Sequence, residues 1–183
     1  MNAARFDSFI DSVKSVIGRA AGDEAQILAG VEPLVRDLVA HDAWLDDKYA
    51  QPHPQYYQQY RLYACPEDSF SVVSFVWGPG QQTPVHDHTV WGGIGVLRGA
   101  EIGDRYERQE DGRLVKTESA TLKQGMTECV SPTIGEIHKV SNALTDQVSI
   151  SIHVYGADIG KVRRHVFNAE TGEVKEFISG YAN

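Results

Sequence analysis

The sequence has few cysteines and no excess of basic residues. Its 183 residues include two cysteines, Cys65 and Cys129, which are not arranged as a C-x-x-C pair. Two cysteines are too few for a disulfide-based scaffold, so we expect a cytoplasmic protein in a reducing compartment. The 17 basic residues are outnumbered by 25 acidic ones, and the formal net charge is −8. We therefore expect no nucleic acid or anionic membrane partner, because both need a basic surface.

Long apolar runs are also missing. No stretch approaches the roughly 18 consecutive apolar residues of a transmembrane helix, and the first residues lack the apolar run of a secretory signal peptide. The remaining composition is ordinary for a globular protein, with 42% hydrophobic and 23% charged residues. The length predicts a single domain over residues 1–183, at roughly 100–200 residues per domain.

The spacing of apolar residues changes along the chain. From Phe6 to Ile17 they recur every three or four residues, which predicts a helix, and Asp23 is a plausible cap for a second one. Pro33 lies inside that second helical pattern and is expected to break it, so that residues 31–40 would form a separate short helix. From residue 56 onward the period is two, as is typical of strands.

Short strands separated by turn residues are predicted in the rest of the chain. They cover residues 70–77, 91–97, 100–108, 114–122, 127–130, 147–155, 163–167 and 174–178. Many short strands at regular spacing indicate an antiparallel sandwich or barrel. The sequence therefore predicts a helical region at residues 1–50 that packs on a barrel formed by residues 56–183.

The pattern His86-Asp87-His88 is the first candidate site. On a strand, residues two apart project to the same side, so both imidazoles could share a metal ion while Asp87 faces away. An isolated pair of this kind is a hydrogen-bonded surface pair at least as often as it is a pair of metal ligands. Its surroundings favour a metal, because Gly80 precedes it and a second group of motif residues follows. That second group consists of Gly125, Pro132, Gly135, His138 and Asn142.

The two groups resemble the two-part signature of the cupin superfamily. Its first part is a glycine, five residues, H-x-H and then a glutamate; its second part contains a glycine, P-x-G, a histidine and an asparagine. Two single-residue insertions flank Pro132, and Gly92 and Gly93 stand where the glutamate is expected. The resemblance implies a mainly β cupin fold, a jelly-roll-like double-stranded β-helix barrel.

Loss of the motif glutamate would leave a metal site of three histidines, His86, His88 and His138, without a carboxylate. Three neutral imidazoles leave the full charge on a divalent metal ion. Such a site suits a substrate that brings its own negative ligand, for example a thiolate.

A second pattern lies in residues 149–155, where Ser151, His153 and Tyr155 alternate with branched apolar residues. The three polar side chains share one strand face and could form a hydrogen-bond relay, although a solvent-facing polar surface is the commoner meaning of such a pattern. Together with Trp77, the H-D-H pattern and the missing glutamate, this strand resembles the cysteine dioxygenase family of thiol dioxygenases.

This resemblance implies a mononuclear Fe(II) enzyme that adds both atoms of O₂ to the sulfur of a small thiol carboxylate, giving a sulfinic acid. It implies that Tyr155 reaches into the pocket, with His153 and Ser151 supporting it. Crosslinked members of the family carry a cysteine where Gly92 and Gly93 stand here, so we expect an unmodified phenol. No protein partner is predicted.

The substrate is expected to be 3-mercaptopropionate. Gln59 stands where the cysteine-oxidising members have an arginine, and it resembles the 3-mercaptopropionate dioxygenase subgroup, with Arg164 as the cation for the carboxylate. Arg61 would share a strand face with Gln59, which keeps L-cysteine open as the substrate. A metal cupin of another activity and a non-catalytic binding barrel are the remaining alternatives.

Overall fold

Residues 3–183 are described in a computed structural model of the chain. Two helices come first, α1 (Ala3–Ala20) and α2 (Glu24–Val39), and a short 3-10 helix lies at Asp47–Tyr49. Strands make up the rest of the ordered structure. In chain order they are β1 (Gln58–Ala64), β2 (Ser71–Trp77), β3 (Val85–His86), β4 (Gly92–Arg98), β5 (Ala100–Arg108), β6 (Leu114–Lys123), β7 (Thr127–Val130), β8 (His138–Asn142), β9 (Ser149–Tyr155), β10 (Arg164–Phe167) and β11 (Val174–Phe177).

The strands form two antiparallel sheets. One has the order β1-β2-β9-β4-β7 and the other has the order β11-β10-β3-β8-β5-β6. Two antiparallel sheets that face each other across an apolar interior form the sandwich-like barrel that the strand pattern predicts. The predicted fold class, a mainly β cupin barrel with a helical N-terminal region, is confirmed.

Helix α2 begins as predicted but does not end as predicted. The Asp23 carboxylate accepts a hydrogen bond from the backbone N–H of Gln26 at 3.1 Å, which caps the first turn. The helix then continues through Pro33 to Val39, so the predicted break at Pro33 is wrong. Pro33 removes one backbone donor, but fully buried side chains on both sides of it, Val31 and Val35, hold the helix on the sheet.

Glycines in β4 allow α2 to lie close to the five-stranded sheet. A Cβ atom on Gly95 would lie 2.7 Å from Val35 Cγ1 and 3.0 Å from Val39 Cγ1, and one on Gly93 would lie 3.3 Å from Val31 Cγ1. A side chain at Gly95 would push the helix away from the strand. Helix α2 therefore packs on this face of the sheet.

The central strands of the five-stranded sheet are covered on both faces. Every residue of β2 and of β9 is buried, because the helices cover one face and the second sheet covers the other. Three strands, β1, β3 and β8, lie outside the predicted strand ranges, although extended backbone was assumed at Gln59–Arg61 and at His86–His88. β3 has two residues and β8 has five of mixed polarity, which is too little for a periodic pattern.

No helix in the described residues combines the length and the hydropathy needed to cross a membrane.

Candidate metal site and adjoining cavity

Three histidines meet at the inner side of the six-stranded sheet. His86 ends β3 and pairs directly in register with His138, the first residue of β8. His88 follows two residues after His86. The ring centroids of the three imidazoles are 4.8–4.9 Å apart, and one nitrogen of each ring lies within 4.8 Å of the others. The structure thus brings together the three residues that the sequence motifs select.

The nitrogen atoms of this cluster fit a metal ion. His86 Nδ1 lies 3.1 Å from the Pro84 carbonyl oxygen, which orients that ring and leaves Nε2 for a ligand. Both ring nitrogens of His88 and Nδ1 of His138 are buried, and the described residues offer them no hydrogen-bond partner. Buried polar atoms nearly always have a partner, and a bound cation would provide one.

Burial also keeps these rings in the form that binds metals. Desolvation lowers the pKa of His86 from 6.5 to about 4. Desolvation lowers the pKa of His88 and of His138 well below the ordinary value, and repulsion from the other histidines adds to the effect. A neutral imidazole has a free lone pair, so this set of donors is ready to coordinate a cation.

Two carboxylates hold the segment that carries His88. Glu136 accepts hydrogen bonds from the backbone N–H groups of His88 at 3.0 Å and Thr89 at 2.7 Å. Thr89 has a φ of 59°, a left-handed conformation that is uncommon for threonine. Asp87 accepts from the backbone N–H of His165 at 2.8 Å, and its second oxygen lies 2.7 Å from His165 Nδ1. Asp87 therefore ties β3 to β10 and is not part of the histidine cluster.

A cavity of about 250 Å³ lies between the two sheets beside this cluster. His86 and His138 form part of its wall, and Phe75, Trp77 and Val140 form an apolar part. The volume of this cavity and its lining residues suit a small organic molecule with an apolar middle section.

Ser151, His153 and Tyr155 face this interior. The Ser151 Oγ atom lies 2.8 Å from His153 Nε2, and His153 Nδ1 lies 2.8 Å from the Tyr155 hydroxyl. All three side chains are buried, so a solvent-facing polar strand is excluded as the meaning of this pattern. The Tyr155 ring stacks on His88 with centroids 5.4 Å apart, which connects the chain of hydrogen bonds to the histidine cluster.

Burial shifts the pKa values of two residues in this series of hydrogen bonds. Desolvation lowers the pKa of His153 from 6.5 to about 3, so its ring is neutral at physiological pH. Desolvation also raises the pKa of the Tyr155 hydroxyl above its ordinary value of 10. Tyr155 therefore keeps its proton under the same conditions.

The ring of Tyr155 packs against a glycine. A Cβ atom on Gly92 would lie 3.0 Å from two atoms of the Tyr155 ring, so β4 leaves the phenol no room for a larger neighbour. Cys65 and Cys129 are both free cysteines. Cys129 pairs in register with Gly93 across β7 and β4.

The wall of the cavity also carries a buried cation. Arg164 is 3% exposed, and its guanidinium donates to Ser179 Oγ at 2.6 Å and lies 4.6 Å from the centre of the Phe177 ring. Its Nε has no hydrogen-bond partner among residues 3–183, and desolvation lowers its pKa. A buried cation without a carboxylate partner is costly, which favours an anionic ligand here.

Gln59 lies next to Arg164, whereas Arg61 does not. Gln59 Nε2 donates to Ser179 Oγ at 3.2 Å and to the Gly180 carbonyl oxygen at 3.1 Å. Arg61 is exposed, and its guanidinium lies over the Tyr181 ring at 5.3 Å. The alternation that places both residues on one face of β1 does not bring Arg61 into the cavity. Gln59 lines the cavity, whereas Arg61 does not and lies over the Tyr181 ring instead.

Several residues around the cavity were not anticipated from the sequence. Ser179 and Phe177 belong to the C-terminal segment, which returns along β1, where the backbone N–H of Ala182 donates to the Gln59 carbonyl oxygen at 2.9 Å. Glu101 lies in β5 and contacts the hydroxyl of Ser149. None of these positions carries a local pattern, since each depends on contacts between distant parts of the chain.

Comparison with known proteins places most of the chain in one family. Residues 24–167 match the family described as cysteine dioxygenase type I. The curated cysteine dioxygenases type 1 of Rattus norvegicus and Mus musculus are each 24% identical over 106 residues, which is 56% of this chain and 52% of the relative. The aligned region therefore spans about half the length of these relatives.

Solved structures resemble the chain more distantly. A protein with a double-stranded β-helix domain from Klebsiella pneumoniae covers 61% of this chain and 85% of its own, with 19% identity and a TM-score of 0.49. A cupin superfamily protein from Desulfitobacterium hafniense covers 59% and 84%, with 10% identity and a TM-score of 0.46. Since the family match extends from α2 through β10 and includes the three histidines and the Ser151–His153–Tyr155 strand, the chain belongs to the cysteine dioxygenase type I family.

Proposed function

We propose that this protein is a non-haem Fe(II) thiol dioxygenase that oxidises a small thiol carboxylate, with 3-mercaptopropionate preferred over L-cysteine. The reaction balances as RSH + O₂ → RSO₂H, with both oxygen atoms on sulfur. The observation that carries the proposal is a cluster of three neutral, buried histidines beside a cavity that also has a buried arginine in its wall. Membership of the cysteine dioxygenase type I family supports it.

His86, His88 and His138 would hold the iron through imidazole nitrogens, since these atoms are close together and lack other partners. When bound, Fe(II) supplies the redox chemistry that joins dioxygen to a thiol sulfur. The protein holds the substrate near this point and keeps bulk water away, because the buried aromatic and aliphatic walls of the cavity exclude it.

The carboxylate of the substrate would bind at the Arg164 end of the cavity. Arg164 provides a charge-assisted hydrogen bond, and the Gln59 amide lies next to it. The Ser179 oxygen already accepts hydrogen bonds from both, so its own proton is free to be donated to a ligand oxygen. A carboxylate would thus meet two donor groups, the Arg164 guanidinium and the Ser179 hydroxyl, and one positive charge. Gln59 supports Ser179, because both of its amide protons are donated to Ser179 and to the Gly180 carbonyl oxygen.

The preference for 3-mercaptopropionate is supported by the residues that line the rest of the cavity. L-cysteine differs from 3-mercaptopropionate by an α-ammonium group. The lining residues within the described part of the chain include no aspartate or glutamate, so an ammonium would have no counter-ion there and would lose its hydration. A mercapto-acid without this group avoids that cost.

We also propose a cytoplasmic location. Cys65 and Cys129 are free thiols, the state that a reducing compartment maintains. A ferrous enzyme that consumes thiols works under the same conditions.

Oxygen consumption by Fe(II)-loaded protein tests the proposed function. We expect sulfinate and O₂ uptake with 3-mercaptopropionate, a lower kcat/KM with L-cysteine, and the lowest with cysteamine, which has no carboxylate. Zn(II)-loaded protein is the matched control and should consume no oxygen, because zinc has no redox chemistry. If none of the three thiols yields a sulfinic acid, the function is not thiol dioxygenation.

Replacement of Tyr155 by phenylalanine should slow turnover by about tenfold or more, the usual cost of losing a group that orients a metal site. The ring still packs against Gly92 and His88, so we expect iron content and folding to stay as in the wild type. The measurement is sulfinate formed per O₂ consumed, together with kcat. Wild-type kcat and coupling would show that the hydroxyl has no role.

A further inference from the structure

A short segment at residues 179–183 lies along the free edge of the five-stranded sheet, and we call it the strap. β1 is the outermost strand of that sheet. The backbone N–H of Ala182 donates to the Gln59 carbonyl oxygen at 2.9 Å. The Asn183 side chain accepts from the backbone N–H of Arg61 at 2.8 Å and donates to its carbonyl oxygen at 3.1 Å. The strap therefore satisfies backbone groups that an edge strand leaves unpaired.

Ser179, the first residue of the strap, is exposed and lies where the cavity meets solvent. Its hydroxyl oxygen accepts from Arg164 at 2.6 Å and from Gln59 at 3.2 Å, and both of these side chains are buried. An exposed serine has little packing to hold it, so the backbone on either side must keep its hydroxyl in place. On the preceding side Phe177 pairs with Arg164 between β11 and β10. On the following side the strap provides the support.

Tyr181 anchors the strap to the loop between β9 and β10. Its ring lies so close to Gly160 that a Cβ atom on this glycine would overlap it. Its hydroxyl accepts from the backbone N–H of Gly160 at 2.9 Å and donates to the Asp158 carboxylate. The next backbone N–H toward Ser179, that of Gly180, donates to the Gly160 carbonyl oxygen at 3.0 Å. Desolvation raises the pKa of Tyr181 to about 12, so the hydroxyl keeps the proton that it donates.

The loop that receives Tyr181 is held to the sheet. Residues 156–163 lead from β9 directly to Arg164, the first residue of β10. The buried Ser71 hydroxyl of β2 bonds two backbone groups of this loop, at 2.7 Å and 3.2 Å. Asp158 is 2% exposed, and a carboxylate buried to this degree depends on its donors, of which Tyr181 is one. Tyr181 therefore fastens the strap to a fixed part of the barrel.

We propose that Tyr181 is a positioning residue that holds Ser179 in place to bind the carboxylate of the substrate. One residue, Gly180, separates them, and its φ of 62° is a left-handed conformation that glycine adopts without strain. The cavity lining within residues 3–183 does not include Tyr181, so Tyr181 acts through Ser179 and not on the ligand itself. The nature of the ligand, a thiol carboxylate, rests on the proposed function, whereas the attachment of the strap by Tyr181 does not.

Loss of this anchor should weaken carboxylate binding selectively. If the strap moves away, the carboxylate meets Arg164 without the Ser179 hydroxyl. The apparent affinity then falls in proportion to the fraction of molecules in which Ser179 is in place. The histidine cluster is held by other contacts, so the chemical step should change little. A thiol without a carboxylate should bind equally well with the strap in either position.

Calorimetric titration of Zn(II)-loaded protein with 3-mercaptopropionate tests this inference without turnover, because zinc has no redox chemistry. Tyr181→Phe keeps the ring over Gly160 and removes both contacts of the hydroxyl. A hydrogen bond to a charged group contributes roughly tenfold or more to an equilibrium, so we expect Kd to rise about tenfold. Tyr56→Phe is the matched control and should keep the wild-type Kd, because Tyr56 is 56% exposed and borders the same outer surface as Tyr181.

Iron-loaded Tyr181→Phe should show a similar rise in KM for 3-mercaptopropionate, with kcat within about twofold of the wild type, as for a loss of binding alone. The KM for cysteamine should stay unchanged. An equal rise in KM for both thiols would indicate general damage to the cavity and would contradict the proposal. Wild-type Kd and KM for 3-mercaptopropionate in this variant would also overturn it.

Hydrogen exchange in the wild type tests the inference even if Tyr181→Phe does not fold. Coupling is reciprocal, so if the strap raises the affinity for a carboxylate, a bound carboxylate must stabilise the strap. In Zn(II)-loaded protein we expect residues 179–183 to exchange more slowly with saturating 3-mercaptopropionate than with saturating cysteamine, as measured by mass spectrometry. Equal exchange with the two thiols would refute the role of the strap.

Two outcomes separate this inference from the proposed function. A higher Kd in Tyr181→Phe, together with iron-loaded wild-type protein that forms no sulfinate, would refute the proposed function alone. Sulfinate formation with an unchanged Kd and KM in Tyr181→Phe would refute the role of Tyr181 alone.

Discussion

His138→Ala should abolish iron binding and thiol-dependent oxygen uptake together. His138 provides one of three clustered imidazoles, and no carboxylate belongs to the cluster to replace it. Loss of a group that merely orients a ligand costs roughly 10- to 100-fold in metal affinity. Loss of the ligand itself should therefore cost more than about 100-fold, which leaves two neutral donors and an essentially metal-free protein.

The measurement is iron per chain after loading and desalting, followed by oxygen uptake with 3-mercaptopropionate. The backbone of His138 pairs with His86 and Arg105 whatever its side chain, so the circular dichroism spectrum should be unchanged. His41→Ala is the matched control, because His41 is exposed and outside the cluster. Full iron content or normal turnover in His138→Ala would show that the metal site has been assigned to the wrong residues.

Arg164→Met should raise the KM for 3-mercaptopropionate about 100-fold while changing kcat much less. A buried, hydrogen-bonded charge pair is worth about 2–5 kcal/mol when one partner is removed, and about 3 kcal/mol corresponds to a factor of roughly 150. Methionine keeps much of the apolar stem that packs near Phe177. Removal of a buried cation that has no carboxylate partner should not destabilise the fold.

Cysteamine separates a binding role of Arg164 from a general loss of structure. It lacks a carboxylate, so Arg164→Met should leave its weak turnover nearly unchanged, and the preference for 3-mercaptopropionate over cysteamine should collapse. Arg163→Met is the matched control, because Arg163 is exposed and paired with Glu176 at 2.7 Å. Equal losses with both thiols would contradict carboxylate binding at Arg164.

Much of the site was predictable because its residues follow local rules. The alternation in residues 149–155 places Ser151, His153 and Tyr155 on one face of any regular strand, and the structure shows them hydrogen-bonded on one inward face. The H-D-H pattern likewise sends two imidazoles in one direction. His138 was identified through the resemblance to the second cupin motif, and in the structure its register opposite His86 brings the two residues together.

Other features depended on tertiary interactions that compete with local preferences, and a linear sequence pattern does not show these interactions. Pro33 carries a real penalty for a helix, yet α2 continues because buried valines on both sides pack on β4. Gln59 and Arg61 have equivalent positions by alternation, and the path of β1 relative to Tyr181 places one at the cavity and the other outside it.

The sequence by itself indicated the strand-rich fold, the helical region before it and the shared face of the polar strand, because each follows from periodicity over a few residues. The set of three histidines came from the resemblance to the cupin and cysteine dioxygenase signatures. The tertiary structure alone decided which arginine reaches the cavity, that Ser179 joins Arg164 to Gln59, and that the buried Glu101 contacts Ser149. These contacts join residues that are 15 to 120 positions apart. Burial and the path of whole strands create them, and neither is encoded in any single segment.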